Sequence, residues 1–180
     1  MNPNSTNSMP LRICERNSFL IAGLGFFGDP FSLSGEWTEE NEIGRLWHRY
    51  MTFMHLPGAQ TPSLLNPTVG YELWIEHADT RAKGFWEIFV GQEIADITAV
   101  PVELSIKMLP AMTYAVLTLR GEEIASDWQR AMLDSLTEAG FQQALPYSFE
   151  YYDHRFKGME QLAESEMDVY IPITPRNAGI

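Results

Sequence analysis

The chain has 180 residues, 45% of them hydrophobic and 20% charged, with a net charge of −12. That composition fits one well-buried globular domain and excludes a disordered chain. The acidic balance, with 12 scattered Lys and Arg and no basic run, excludes binding to a phosphate backbone through clustered cations.

Residues 1–17 begin with the polar stretch Met1–Pro10, which lacks the basic start and apolar run of a secretory signal. They are expected to form a flexible tail. No segment reaches the roughly 20 apolar residues of a membrane helix. The single cysteine, Cys14, excludes an internal disulfide and a thiolate metal cluster. A cytoplasmic location is therefore expected.

Phe19–Leu24 predicts the first strand. Its neighbourhood contains Gly23, Gly25 and Gly28 in a formal GxGxxG, but Asp29-Pro30 and a polar loop follow in place of a helix, so no dinucleotide site is expected. Ile43, Leu46, Trp47, Tyr50 and Met54 fall on one helical face, with Asn41 or Thr38 as the cap and Pro57-Gly58 as the stop. Val69–Ile75 and Phe85–Val90 predict a hairpin around Asp79–Lys83. Val102–Met108 predicts a further strand, and Tyr114–Leu119 another. Ile124, Trp128, Ala131, Ser135 and Leu136 mark a second helix ended by Gly140, and strands Ser148–Tyr152 and Met167–Ile173 follow. Both helical tryptophans, Trp47 and Trp128, are expected as core anchors.

The second half echoes the first. Ile43, Trp47, Arg49 and Met51 line up at a constant offset with Ile124, Trp128, Arg130 and Met132, and Tyr71-Glu72 corresponds to Phe149-Glu150 at a slightly shorter one. The expected architecture is α+β: two pseudo-symmetric β-α-β-β repeats, 18–95 and 102–174, within one domain spanning 18–174, with a short tail at 175–180. The repeats would form an antiparallel platform with helices on one face and a ligand cleft on the other.

Alternation along each strand sorts the side chains into two faces. Tyr71, Leu73 and Ile75 suit the helix side, which leaves Glu72, Trp74 and Glu76 on the open one. Phe149 and Tyr151 pack inward, leaving Glu150 and Tyr152. Val169, Ile171 and Ile173 pack, leaving Asp168 and Tyr170, and Glu87 and Phe89 are left by the matching strand. The candidate site is thus Glu150, Tyr152, Tyr170, Trp74, Phe89 and Glu72. Aromatic rings interleaved with carboxylates suit a flat cationic molecule, because ring faces attract a cation and a carboxylate neutralises it. The alternative is a solvated sheet face of cross-strand aromatic pairs. His48, His55, His77 and His154 show no metal-ligand spacing, so no metal and no cofactor is expected.

The segments Glu42–Met51, Tyr71-Glu72, Leu109–Val116, Phe149–Tyr152 and Met167–Ile173 resemble, in order and spacing, the GyrI-like small-molecule-binding domain. The resemblance runs from Ser18 to Ile173. It includes the effector-binding halves of AraC-type and MerR-type multidrug regulators. It implies a hydrophobic cleft between the two units, with the glutamate of the Phe-Glu-x-Tyr strand, Glu150, at its floor and Tyr152 completing the motif. It also implies two other uses of the fold. One is a hydrolase of electrophilic, cyclopropane-bearing toxins, with Glu150 as general acid or base. The other is a protein-interaction module such as a gyrase inhibitor. With only residues 1–17 before the first strand, no helix-turn-helix is expected and direct nucleic-acid binding is not anticipated. The leading expectation is a stand-alone binding protein for an aromatic, cationic small molecule.

Overall fold

The computed structural model describes residues 10–33, 40–58 and 60–176. Thr38, one of the two cap candidates, lies outside them, as do residues 1–9 and 177–180 of the two expected tails. Strands β1 (Arg12–Arg16) and β2 (Phe19–Gly28) lead to helix α1 (Glu42–Met54), then β3 (Gly70–Ile75), a single turn α2 (Thr80–Lys83) and β4 (Trp86–Ile94). After these come β5 (Ser105–Leu109), β6 (Met112–Arg120), helix α3 (Trp128–Glu138), β7 (Phe141–Gln143), β8 (Tyr147–Tyr152) and β9 (Glu166–Pro175). The part of the expected tail at Arg12–Arg16 is instead a strand, paired antiparallel with β6 from Arg12↔Val116 to Arg16↔Met112.

The local signals act as expected at several points. Asn41 caps α1 by accepting from the Gly44 N–H at 2.8 Å, which stabilises a helix by about 1 kcal/mol. Ile43, Leu46 and Tyr50 form its buried stripe. Gly140 takes φ +79° just beyond α3, where a residue with a Cβ would be strained. Ile124 does not belong to α3; it lies in a 3-10 turn (Gly121–Ala125) ahead of it. Trp47 therefore sits within its helix while Trp128 opens its own, and the aligned tryptophans do not occupy equivalent positions.

The sheet is antiparallel, in the order β1-β6-β9-β8-β3-β4-β2-β5, with β7 on β9. Its shape follows from two connections. β1 and β2, first and seventh in that order, are joined by Asn17-Ser18 alone; β5 and β6, eighth and second, are joined by Pro110-Ala111. Two linking residues reach about 11 Å, whereas six strand spacings in a flat sheet span about 29 Å. The sheet must therefore curl until its edges meet.

Curling gives it two buried faces. The inner one holds Phe19, Ile21, Tyr71, Leu73, Phe89, Tyr114, Tyr147, Phe149 and Tyr170. The Arg16 guanidinium lies 4.0 Å over the Phe19 ring and donates to the Tyr71 hydroxyl at 3.2 Å and to Glu93 at 3.3 Å, fastening edge strand β1 to β4. The outer face carries the helices. α1 packs through Ile43, Leu46 and Tyr50 on Ala22, Ile88, Val90 and Ile94. α3 packs through Trp128, Met132 and Leu136 on Leu117, Leu119, Val169 and Ile171. Between the two helices lie the central strands β3 and β8.

Gly23 and Gly91 are paired across β2 and β4. A Cβ on Gly23 would stand 1.9 Å from the Val90 carbonyl oxygen, and one on Gly91 2.3 Å from that of Ala22. The first glycine of the GxGxxG pattern, Gly23, thus serves the close approach of β2 and β4. No helix among the described residues is long and apolar enough to cross a membrane.

Candidate ligand cleft

Directly paired residues of an antiparallel ladder share a face. Glu72 is paired with Val90 on one side and Glu150 on the other, and Glu150 with Val169. This row points to the helix-bearing outer face, as do Trp74, paired with Ile88, and Tyr152. Leu73 is paired with Phe89 and Phe149, and Phe149 with Tyr170. That row belongs to the inner face.

The expected site therefore divides. Glu72, Trp74, Glu150 and Tyr152 come together, but on the side of the helices and not opposite them. Phe89 and Tyr170 are on the other side of the sheet, where Tyr170 stacks on Phe149 at 4.6 Å. They are core residues, and no wall of one cleft contains both groups.

A cleft of about 1170 Å³ opens on the outer face between α1 and the segment after β8. Gly44, Trp47, His48 and Met51 line it from α1; Gly70, Glu72 and Tyr152 form its floor; Phe156, Gly158 and Met159 face α1 from the other side. Trp47, expected as a core anchor, lies over Gly70, where a Cβ would meet its ring at 2.8 Å. The Tyr152 ring stands edge-on between Trp47 (6.0 Å) and Phe156 (4.7 Å). Trp47, Phe156 and the methionines were not legible as site residues: a stripe tryptophan has the same spacing whether it faces core or cleft, and Phe156 sits in a loop.

Two carboxyl groups are buried at this floor, Glu72 and Glu150, each only 2% exposed. Glu72 accepts from the Trp47 indole N–H at 2.7 Å on one oxygen and from the Trp74 indole N–H at 3.0 Å on the other. The Tyr152 hydroxyl donates to one oxygen of Glu150; the other oxygen has no hydrogen-bond partner among the described residues. Neither carboxyl takes part in an ion pair among the described residues. Burial pushes the Glu72 carboxyl up to about 7 against the pull of its Trp47 and Trp74 hydrogen bonds and of the nearby Tyr152 hydroxyl. Burial, and then the charge of Glu72, raise Glu150 well above the usual carboxylate range, opposed by Tyr152. Two like charges about 5 Å apart at an effective dielectric of about 20 repel by about 3 kcal/mol. The two groups consequently do not both ionise readily near neutrality.

Trp74 is a supporting residue: it is buried against Trp86 and Phe31 and orients Glu72. Of the histidines, only His48 lines the cleft; His77 pairs with Glu87 at 2.7 Å. Among the described residues no group of His, Cys, Asp and Glu is placed to hold a metal ion.

The Trp47 bond has a measurable consequence. Trp47→Phe keeps a ring over Gly70 but removes the N–H that Glu72 accepts. A hydrogen bond to a charged group contributes roughly 1.5–3 kcal/mol. Urea unfolding is expected to show a loss of about 1.5 kcal/mol at pH 8, and less than half of that at pH 5, where Glu72 is neutral.

A curled antiparallel sheet with two outer helices, and an aromatic cleft between α1 and the segment after β8, fits a GyrI-like domain. The chain belongs to the Cass2 family of integron-associated effector-binding proteins, whose model matches residues 12–173. It is 31% identical over 168 residues to the transcriptional regulator BrlR of Pseudomonas aeruginosa, a match covering 92% of this chain and 56% of that protein. The chain thus spans about half the length of the curated relative it matches. Among solved structures, SAV2435 bound to tetraphenylphosphonium superposes with a TM-score of 0.65 at 12% identity, covering 92% of this chain and 94% of that one. The C-terminal domain of EcmrR gives 0.66 at 12% identity, covering 92% and 98%. A hydrolase encoded by lin2189 of Listeria innocua gives 0.53 at 9% identity, covering 93% of each. At these identities the likenesses establish the fold alone.

Proposed function

We propose that the chain captures an aromatic, cationic small molecule in the cleft between α1 and the segment after β8. The observation that carries this reading is a buried carboxyl, Glu72, held by two indole N–H groups at the floor of an aromatic cleft and in no ion pair among the described residues. A buried carboxylate without a counter-charge is costly. A bound cation removes that cost while Trp47, Tyr152 and Phe156 offer ring faces and edges to its aryl groups. Glu150 and Trp74 support the floor from behind. The tetraphenylphosphonium complex of SAV2435 supports the same ligand class.

The geometry favours capture over hydrolysis. Glu150, the acid or base of the hydrolase reading, does not line the cleft and meets it only through the Tyr152 hydroxyl. Titration with tetraphenylphosphonium, followed by tryptophan fluorescence, tests the reading against neutral triphenylphosphine oxide. The cation is expected to bind at least about tenfold more tightly (~1.4 kcal/mol) and to be recovered intact. Equal affinity for the two would remove the carboxylate from the mechanism, and breakdown of the ligand would restore the hydrolase.

A further inference from the structure

Glu72 and Glu150 face each other across β3 and β8, both buried. The Tyr152 hydroxyl lies next to both carboxyl groups. When Glu150 carries a proton, that hydroxyl can accept from Glu150 and donate to Glu72, which makes a continuous path from one carboxyl to the other. The second Glu150 oxygen is fully buried and has no partner among the described residues, a poor setting for a negative charge.

Among the described residues no cationic side chain forms an ion pair with either carboxyl. α1 sends Trp47 and Tyr50, with His48, Arg45 and Arg49 at the rim; β3 sends Trp74 and β4 sends Gln92; Asp153 stands on the opposite wall. Gln92 is engaged by Tyr50 and by the Pro67 carbonyl. A negative charge on this floor is therefore neutralised by a proton or by a bound cation rather than by one of these side chains.

We propose that the Glu72–Tyr152–Glu150 array makes the cleft a proton–cation exchange site, in which an arriving cation expels one proton from the carboxyl pair to solvent while Glu150 keeps the other. The inference rests on the cation-capture reading and adds its linkage to pH. The exchange breaks one carboxyl O–H bond, transfers that proton to water or buffer and leaves the Glu72 carboxylate beside the ligand's positive charge. No other bond changes. The position of Glu72, whose carboxyl burial raises to about 7, sets the range in which the exchange is felt.

Tetraphenylphosphonium is the suitable probe, because it has no proton of its own. Proton release at saturating probe is read by calorimetry in pairs of buffers that differ in protonation enthalpy. About one proton per bound cation is expected at pH 6, and less than about 0.2 at pH 8.5. Tyr152→Phe removes the hydroxyl that lowers the Glu72 carboxyl and is expected to move the midpoint of release upward by about one pH unit. His48→Gln is expected to leave the release unchanged, and Glu150→Gln, which resembles the protonated acid, to retain it. Binding with the same heat in both buffers at pH 6 overturns the exchange and leaves the capture reading standing. Loss of release in His48→Gln, or full release from Glu72→Gln/Glu150→Gln, assigns the proton elsewhere and also overturns it. Absence of binding at every pH overturns both readings together.

Discussion

Glu72→Gln is expected to weaken tetraphenylphosphonium binding by about 30- to 100-fold at pH 8, while the affinity for triphenylphosphine oxide changes less than threefold. The size follows from a single carboxylate about 5 Å from a monocation at an effective dielectric of about 20, worth about 3 kcal/mol, or about two decades in affinity. Replacing the carboxylate by an amide keeps its shape. One amide oxygen still accepts an indole N–H, whereas the other indole, Trp47 or Trp74, loses its acceptor. The fold is therefore expected to survive with a loss of about 1 kcal/mol at pH 5, where Glu72 is neutral, checked by circular dichroism and urea unfolding. The informative contrast is Glu150→Gln. Glu150 lies behind Tyr152 and does not line the cleft, so its amide variant is expected to bind the cation within about threefold of the parent (under ~0.7 kcal/mol). A large loss in Glu150→Gln together with a small one in Glu72→Gln would reverse the assignment and restore the floor glutamate that the Phe-Glu-x-Tyr resemblance implies.

The strand alternation carried much of this site. A period of two places Glu72 with Trp74, and Glu150 with Tyr152, whatever the tertiary structure, and the register then sets Glu72 opposite Glu150. What alternation does not carry is which face holds the helices. Tyr71, Leu73 and Phe149 look like helix-side residues because they are apolar, but a sheet buried on both faces has apolar rows on both. Here the inner row is covered by the curl of the sheet itself. That curl is set by two links, Asn17-Ser18 and Pro110-Ala111, which acquire their meaning only once β1 and β2, and β5 and β6, are known to sit far apart in strand order. Phe89 and Tyr170 were misplaced for the same reason. The consecutive apolar residues Ile88-Phe89-Val90 in β4 and Val169-Tyr170-Ile171 in β9 were the available sign that these strands are buried on both sides.

Trp47 illustrates a different limit. Its position on the apolar stripe of α1 fits a core residue, and its neighbours Leu46 and Tyr50 are core residues. It reaches the cleft because Gly70 has no side chain to lift it off β3 and because Glu72 accepts its N–H. Both causes lie more than twenty positions along the chain. Local pattern has no access to them, and the pairing of a small residue with a buried acceptor two positions further along β3 becomes a signal only when the helix is docked.

The pH dependence of stability is expected to be opposite to that of a protein held by surface ion pairs. Glu72 and Glu150 have folded-state pKa values raised above the unfolded value. The native state therefore holds their protons more tightly, and the stability they permit is fully present below about pH 4.5 and is lost as pH rises through about 7. A shift from 4.5 to about 7 for Glu72 corresponds to a loss on the order of 3 kcal/mol, and Glu150, raised by burial and by the charge of Glu72, adds to the loss over the same window and continues to do so at higher pH. The lowered carboxyls, Glu87 beside Lys107 and His77 and Asp153 beside Arg155, act in the other window: their contribution is present above their unfolded values near 4 and disappears as the solution becomes more acid. The two effects together place maximal stability near pH 5. Thermal unfolding of the ligand-free protein is expected to show a Tm that falls by several degrees between pH 5 and pH 8. In Glu72→Gln/Glu150→Gln that slope should flatten, because the groups that lose protons unfavourably in the fold are gone. Saturating tetraphenylphosphonium should flatten it as well, by a different route: the bound cation stabilises the Glu72 carboxylate that the empty fold disfavours. A Tm rising from pH 5 to pH 8 in the ligand-free protein would mean that these carboxyls are solvated, and the cleft floor would then have no uncompensated charge with which to select a cation.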